Sequence, residues 1–208
     1  MTVVSMRKMA FKLVQDRLVV FGFQKRRAGI FSCPILDEVI GWIGLNTATR
    51  GRSDALEINP VVGVRNQRIE RLVAELTGDA FDDLIPPTIA GNVGYLSPAR
   101  RYLAYTFAES ASNEEVADRL CESIKMYGLP FMKKIADLRT MIKKMQTLRF
   151  GMAEQLHYRI PIGLWLLNEI EEAETAIATR LHTIGERSDP AALRYLSFAK
   201  ELSELMRR

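Results

Sequence analysis

The side chains with the most chemical capacity fall on two neighbouring strand-like stretches. In residues 39–49 (VIGWIGLNTAT), Trp42, Gly44 and Asn46 alternate onto one face, while Ile43, Leu45 and Thr47 take the other. In residues 56–65 (LEINPVVGVR), Glu57 and Asn59 share a face, and Leu56 and Ile58 point to a core. An exposed face bearing Trp42, Asn46, Glu57 and Asn59 could form a polar binding floor, with Arg50, Arg52 and Arg65 near the strand ends adding positive charge. The alternative is a face covered by helices, its polar groups hydrogen-bonded to helix ends and loops. Glu57 has the chemistry of a general base, but a lone carboxylate without a partner does not define an enzyme.

A second set is basic. Residues 125–149 hold Lys125, Lys133, Lys134, Arg139, Lys143, Lys144 and Arg149 against the single acid Asp137. Read as one helix from about Pro130, the segment sets Lys133 and Lys144 close together on its polar side, with Asp137, Thr140 and Thr147. Lys133, Lys134, Lys143 and Lys144, joined by Lys25, Arg26 and Arg27, could neutralise phosphates. The segment lacks the aromatic interleaving that stacks on single strands. The acidic stretches 109–122 and 169–174 offer the other use of such a face, which is helix pairing.

Other chemistries find no constellation. The two histidines, His157 and His182, stand 25 residues apart with no Cys or carboxylate at ligand spacing, so no metal site is expected. Cys33 and Cys121 lie in apolar surroundings and read as free buried thiols. No phosphate-binding or dinucleotide-binding glycine loop, nucleophile elbow or Cys/His pair occurs, and no cofactor is expected. Gly41-Trp-Ile-Gly44 reads as close packing or a bulge in a strand. Gly91-Asn-Val-Gly94 lacks the basic centre of an RNA-clamping loop.

The bulk properties frame these sets. The chain has 208 residues, 48% hydrophobic and 26% charged, which suffices for a core without staples, and its net charge of +4 permits an acidic partner without demanding one. The N-terminal stretch carries Arg7, Lys8 and Lys12 within its apolar pattern, unlike a secretory signal. No apolar run reaches the roughly 18 residues of a spanning helix, so a cytoplasmic protein with no membrane partner is expected.

Periodicity then supplies the elements. Met6, Ala10, Leu13, Val14, Leu18 and Phe21 mark a helix over 5–21 that Gly22 ends. Stretches 29–36, 39–49 and 56–65 read as three consecutive strands with short links, which favours an antiparallel meander. Residues 66–76 form a helix capped by Asn66, with Ile69, Leu72, Val73 and Leu76 on one face and Gly78 as the stop. Short strands are expected at 88–96 and 102–107. From Asn113 the period is helical: a helix ending at Gly128, the basic helix with Phe131, Ile135, Leu138, Ile142 and Met145 as its stripe, an interruption at Gly151, a segment 154–182 with Pro161 near a first turn or a break, and a last helix that Ser188-Asp189-Pro190 begins. The expected class is α+β: an N-terminal helix and antiparallel meander sheet in 1–110, followed by an all-helical half in 111–208 that packs on it as one unit.

With that order in place, Phe21-Gly22-Phe23-Gln24-Lys25, Gly41–Asn46 and Leu56-Glu57-Ile58-Asn59-Pro60 resemble a loose group of bacterial domains of unknown function. In that group a helix ending in GF-x-K precedes an antiparallel sheet, and helices follow. Gly128-Leu129-Pro130-Phe131 and Ile160-Pro161-Ile162-Gly163-Leu164 are similar in outline. The group often occurs among bacterial immunity and defence genes, so the resemblance implies binding to another protein more than catalysis, and it carries over no functional residue. Three functions are therefore weighed: a non-enzymatic protein-binding module of the immunity or defence-complex kind, a nucleic-acid-binding accessory protein, and an enzyme with a cleft at Glu57. The oligomeric state is open.

Overall fold

The structure, a computed structural model, describes residues 2–147 and 153–207. Helix α1 (Val3–Val20) begins at Thr2, whose hydroxyl accepts the Ser5 N–H, and buries Met6, Ala10, Val14 and Leu18 at four-residue spacing. Gly22 follows its end at φ 84°, where a side chain would be strained.

Six strands form one sheet: β1 (Gln24–Arg27), β2 (Ile30–Leu36), β3 (Val39–Ala48), β4 (Ala55–Asn66), β5 (Ile89–Asn92) and β6 (Tyr105–Ala108). Their order is β1-β2-β3-β4-β5, with β6 also paired to β4. The pairs β1/β2, β2/β3 and β4/β6 are antiparallel, as the meander requires. Sequence periodicity missed β1 because Gln-Lys-Arg-Arg is exposed at every position and cannot alternate. The turn at Ala28-Gly29 folds it back so that Gln24 meets Ser32. Pro34 is tolerated in β2 because it lies beyond the end of β1, where no donor is needed on that side. The expected strand at 88–96 is shorter. It stops at Asn92, whose side chain accepts the Gly94 N–H and starts a 3-10 turn over Val93–Leu96.

The helices are α2 (Gln67–Thr77), α3 (Asn113–Ser123), α4 (Leu129–Ile135), α5 (Leu138–Gln146), α6 (Ala153–Leu166), α7 (Ile170–Ile184) and α8 (Pro190–Met206). Gly128 does not end a helix: a π turn over Ile124–Gly128 carries α3 straight into α4. The glycine serves close approach, since a Cβ there would sit 3.3 Å from Val62 of β4.

The basic segment is broken as well. Asp137 accepts from the Thr140 N–H at 2.8 Å and starts α5, so the stripe expected on one helix belongs to two. Pro161, by contrast, marks neither a first turn nor a break but lies inside α6, and the chain turns later at Asn168, with φ 61°. Gly163 lets α6 press on α5: a Cβ there would overlap Ile142 Cδ1.

The chain divides into two compact units, one of Met1–Val64 with Ala90–Lys134, the other of Arg65–Ile89 with Ile135–Arg208. The expected division near residue 110 falls inside the first unit, where α3 packs against α1 and β6. That unit buries Met6, Val14, Phe31, Ile43, Leu56, Phe107 and Leu120. The second unit is helical, with α2 against α6 and α8, and buries Ile69, Ile142, Ile162, Phe198 and Leu202.

Candidate functional site

The chemistry of the second unit gathers where β4 runs into α2. Arg65 is its first residue, and Glu70 lies on the buried side of α2 beside Ile69 and Ala74. Arg159 comes from α6. The three side chains are 1%, 5% and 2% exposed, a burial that charged groups tolerate only when paired.

The pairing is extensive. Glu70 Oε1 accepts from Thr88 Oγ1 at 2.7 Å, and Glu70 Oε2 accepts from Arg159 Nη2 at 2.9 Å. Arg159 Nε lies 2.8 Å from Glu70 Oε1 but too bent for a hydrogen bond, so this N–H has no acceptor among the described residues. Thr88 Oγ1 in turn accepts the Asn66 N–H at 2.9 Å.

Arg65 turns its fork on the loop after α2. It donates to the carbonyls of Asp82 and Pro86 and, through Nε, to Gln67 Oε1 at 3.1 Å. Its Nη1 is 3.7 Å from Glu70 Oε2, an electrostatic contact rather than a hydrogen bond. Burial pushes the Arg65 pKa below its ordinary value, partly offset by Glu70.

These groups wall a cleft of ≈ 540 Å³, within the roughly 300–1,000 Å³ of ligand sites. Val73 and Thr77 of α2, Phe81 and Ile85 of the loop, Tyr158 of α6 and Arg194 of α8 line it further. Phe81 and Ile85 are 41% and 38% exposed. The Phe81 ring has Arg65 at 5.3 Å and Arg71 at 5.6 Å from its centroid, which fixes an aromatic lip on a cationic support. Asp79 receives Arg194 on the far wall.

Beside the cleft, Pro161 cannot donate to the His157 carbonyl one turn back, and Tyr195 Oη donates to that carbonyl instead, at 3.4 Å. Tyr195 packs with Tyr158 and Phe198 in an aromatic cluster, and burial raises its pKa.

The residues singled out from the strand pattern are placed as follows. Trp42 is buried rather than exposed, its indole lying over Gly44, where any Cβ would overlap the ring. Trp42 and Asn46 share a pocket with Arg7, Gly29 and Thr47, and neither Glu57 nor Asn59 lines it. Glu57 accepts from Arg50 Nε at 2.5 Å, and Arg52 pairs with Asp54 at 3.0 Å. Asn59 is half-buried. Arg65 belongs to the buried cluster of the second unit.

The basic set is likewise divided. Lys133 and Lys134 are on α4 in the first unit, Lys143 and Lys144 on α5 in the second, and Arg149 lies outside the described residues. Lys25, Arg26 and Arg27 are exposed on β1.

Sequence reasoning missed Glu70, Arg159, Phe81 and Thr88. Glu70 and Arg159 are 89 residues apart, and no local pattern joins them. The one available signal was Phe81-Asp82-Asp83 before Pro86-Pro87, an aromatic residue in a loop whose shape prolines restrict.

Among the described residues, no group of three or more His, Cys, Asp or Glu could hold a metal ion, and no helix is long and apolar enough to cross a membrane. Both cysteines are free and buried, and burial pushes the Cys121 thiol up to about 12. Comparison with family models, with curated proteins and with solved structures finds no match for this chain.

Proposed function

We propose that this chain is a non-enzymatic binding module that docks a segment of another protein in the cleft of its second unit. The observation that carries this reading is the pairing of exposed Phe81 and Ile85 at the lip with buried, oriented arginines at the floor. Aromatic and Arg side chains around a desolvated pocket are what dominate binding energy at protein interfaces. Glu70 is the buried carboxylate of the site, and both its oxygens are engaged by Thr88 and Arg159, which suits a scaffold more than a base that must reach a substrate proton.

The resemblance of the Phe21–Lys25 and Gly41–Asn46 segments to bacterial domains found among immunity and defence genes supports a cytoplasmic, immunity-type or defence-complex accessory subunit as the biological setting. A photo-crosslinking residue in place of Phe81 tests the reading in cells. A discrete protein adduct at position 81, and none from a control position such as Lys200 on α8, is the expected outcome; adducts spread over both positions alike would count against it.

A further inference from the structure

The charges that line the cleft of the second unit are unequal in sign. Among the described residues, the carboxylates of Glu70, Asp79, Asp82 and Glu154 stand against the guanidiniums of Arg65, Arg159 and Arg194. The lining is therefore negative, although the whole chain carries a net charge of +4.

A ligand meets only the charges that are not already engaged. All three guanidiniums are: Arg65 by the carbonyls of Asp82 and Pro86 and by Gln67, Arg159 by Glu70 and by Gln155 Oε1 at 2.8 Å, and Arg194 by Asp79. The Nε–H of Arg159, which lacks an acceptor, is buried against Glu70 Oε1 and offers an anion no landing place. Two carboxylates are engaged as well. Glu70 is shared between Thr88 and Arg159, and Asp82 Oδ1 accepts the N–H groups of Leu84 at 2.8 Å and Ile85 at 3.0 Å. Asp79 differs, since Thr77 and Arg194 both donate to its Oδ2 and its Oδ1 receives no donor among the described residues. Glu154 is exposed and makes neither a hydrogen bond nor an ion pair among them.

These open acceptors belong to one place. Glu154 and Tyr158 are one turn apart on α6, so their side chains leave the same side of the helix, and both line the cleft. The Tyr158 hydroxyl has no hydrogen-bond partner among the described residues. Burial raises its pKa; Arg194 and Arg180 oppose the rise, and the charges of Glu154 and Asp79 add to it. On the other side of Glu154 stand Arg180 and Arg187, but Arg187 pairs with Asp189 at 2.8 Å and neither forms an ion pair with Glu154. Val73, Phe81, Ile85 and the Tyr158 ring supply the apolar part of the same lining. A cationic head on an aliphatic stem satisfies both parts, the stem covering apolar wall while the head brings donors to the open acceptors. Charge matched in this way sets which partner binds more than how tightly.

We propose that the partner segment docked in this cleft is anchored by a basic side chain, Arg or Lys, whose head meets Glu154 together with Tyr158 and Asp79, beside an apolar residue that fills the Phe81–Ile85 lip. This anchor rests on the docking reading above and supplies the chemistry of the occupant.

The test pans phage-displayed random dodecapeptides against the full chain, with Phe81→Ser/Ile85→Ser as the counter-selection that keeps only cleft binders. The peptides retained should share an Arg or Lys at a fixed spacing from an apolar residue. A synthetic peptide of that consensus should lose affinity at least tenfold when its Arg becomes citrulline or its Lys acetyllysine, changes that remove the charge and keep the stem. Glu154→Gln should weaken the basic peptide at least tenfold, leave the neutral peptide unaffected, and leave the thermal midpoint of the chain where it was. Four outcomes would overturn the anchor while the docking reading stands: cleft-dependent peptides without a basic residue, cleft-dependent peptides with an acidic residue in its place, equal binding by Glu154→Gln, or a midpoint lowered by Glu154→Gln, which would assign that carboxylate to Arg180. Failure to find any peptide that tells the intact chain from Phe81→Ser/Ile85→Ser would overturn both. So would self-association of the free chain that both variants abolish, since a second copy would then be the occupant.

Discussion

Arg159 meets Glu70 side-on, with Nη2 2.9 Å from Oε2 and Nε 2.8 Å from Oε1, and the pair closes the second unit between α2 and α6. Neither charge is stable there alone, because a buried ion without its partner retains its desolvation cost. Arg65 adds a second guanidinium at 3.7 Å, and the same arginine holds the loop that carries Phe81. The polar cluster that pairs the buried charges of the unit thus also supports its aromatic lip.

Glu70→Gln should therefore be among the most damaging single substitutions in the chain, costing about 3–5 kcal/mol by leaving two guanidiniums unneutralised. Arg159→Met should cost a comparable amount. Made together, they should cost clearly less than their sum, since the second removes a charge the first left unpaired. Urea unfolding of the four proteins checks this, and additive costs would mean the pair is not coupled.

The hydroxyl of Tyr195 occupies the place of the donor that Pro161 removed. Tyr195→Phe should cost no more than about 1 kcal/mol, the usual net value of a hydrogen bond, because at 3.4 Å this one is long. In a Pro161→Ala background the restored N–H satisfies the His157 carbonyl, and the cost of losing the hydroxyl should fall toward zero. A double-mutant cycle by chemical denaturation reads the difference; an unchanged cost would place the role of Tyr195 wholly in its ring.

Gly163→Ala should destabilise by about 1–3 kcal/mol, because the added methyl meets Ile142 in a packed interface. Ile142→Val deletes the clashing Cδ1. The double variant should recover most of the loss in thermal unfolding, whereas a backbone requirement for glycine would leave the loss intact.

What the sequence made legible was local chemistry. Asn66 and Gly78 bound α2 as read from their types, and Asp189-Pro190 starts α8 with the carboxylate accepting from Ala191 and Ala192. What it concealed were tasks that only packing assigns. Gly128 and Pro161 are breakers by type, yet one serves close approach to Val62 and the other sits in a helix whose freed carbonyl finds Tyr195. Asp137 looked like one acid on a basic helix and is the cap that divides it. Arg65 looked like a strand-end charge near Trp42 and serves Glu70 and the Phe81 loop. The α+β class survived these errors because it rests on period, whereas the site rests on contacts between distant segments.

His157 is half-buried on α6, and burial, then the charge of Arg180, hold its pKa below the ordinary value of about 6.5. The folded chain thus binds this proton less readily than the unfolded chain. Its contribution to stability is complete above about pH 6.5 and is lost as the pH falls toward the folded-state pKa. Urea midpoints should drop between pH 7 and pH 5, and His157→Gln should lessen the drop. A midpoint that rises on acidification would reverse the sign and point to Glu154 as a partner of the imidazolium.

Phe81 and Ile85 at the cleft are the proposed contact surface for a protein partner. Calorimetric titration of the partner identified by crosslinking at position 81, against the intact chain and against Phe81→Ser/Ile85→Ser, tests it most directly. The double variant should bind at least tenfold more weakly, with an unchanged thermal midpoint, and Lys143→Ala/Lys144→Ala should retain full affinity. Equal affinity of the intact chain and the cleft variant would contradict it.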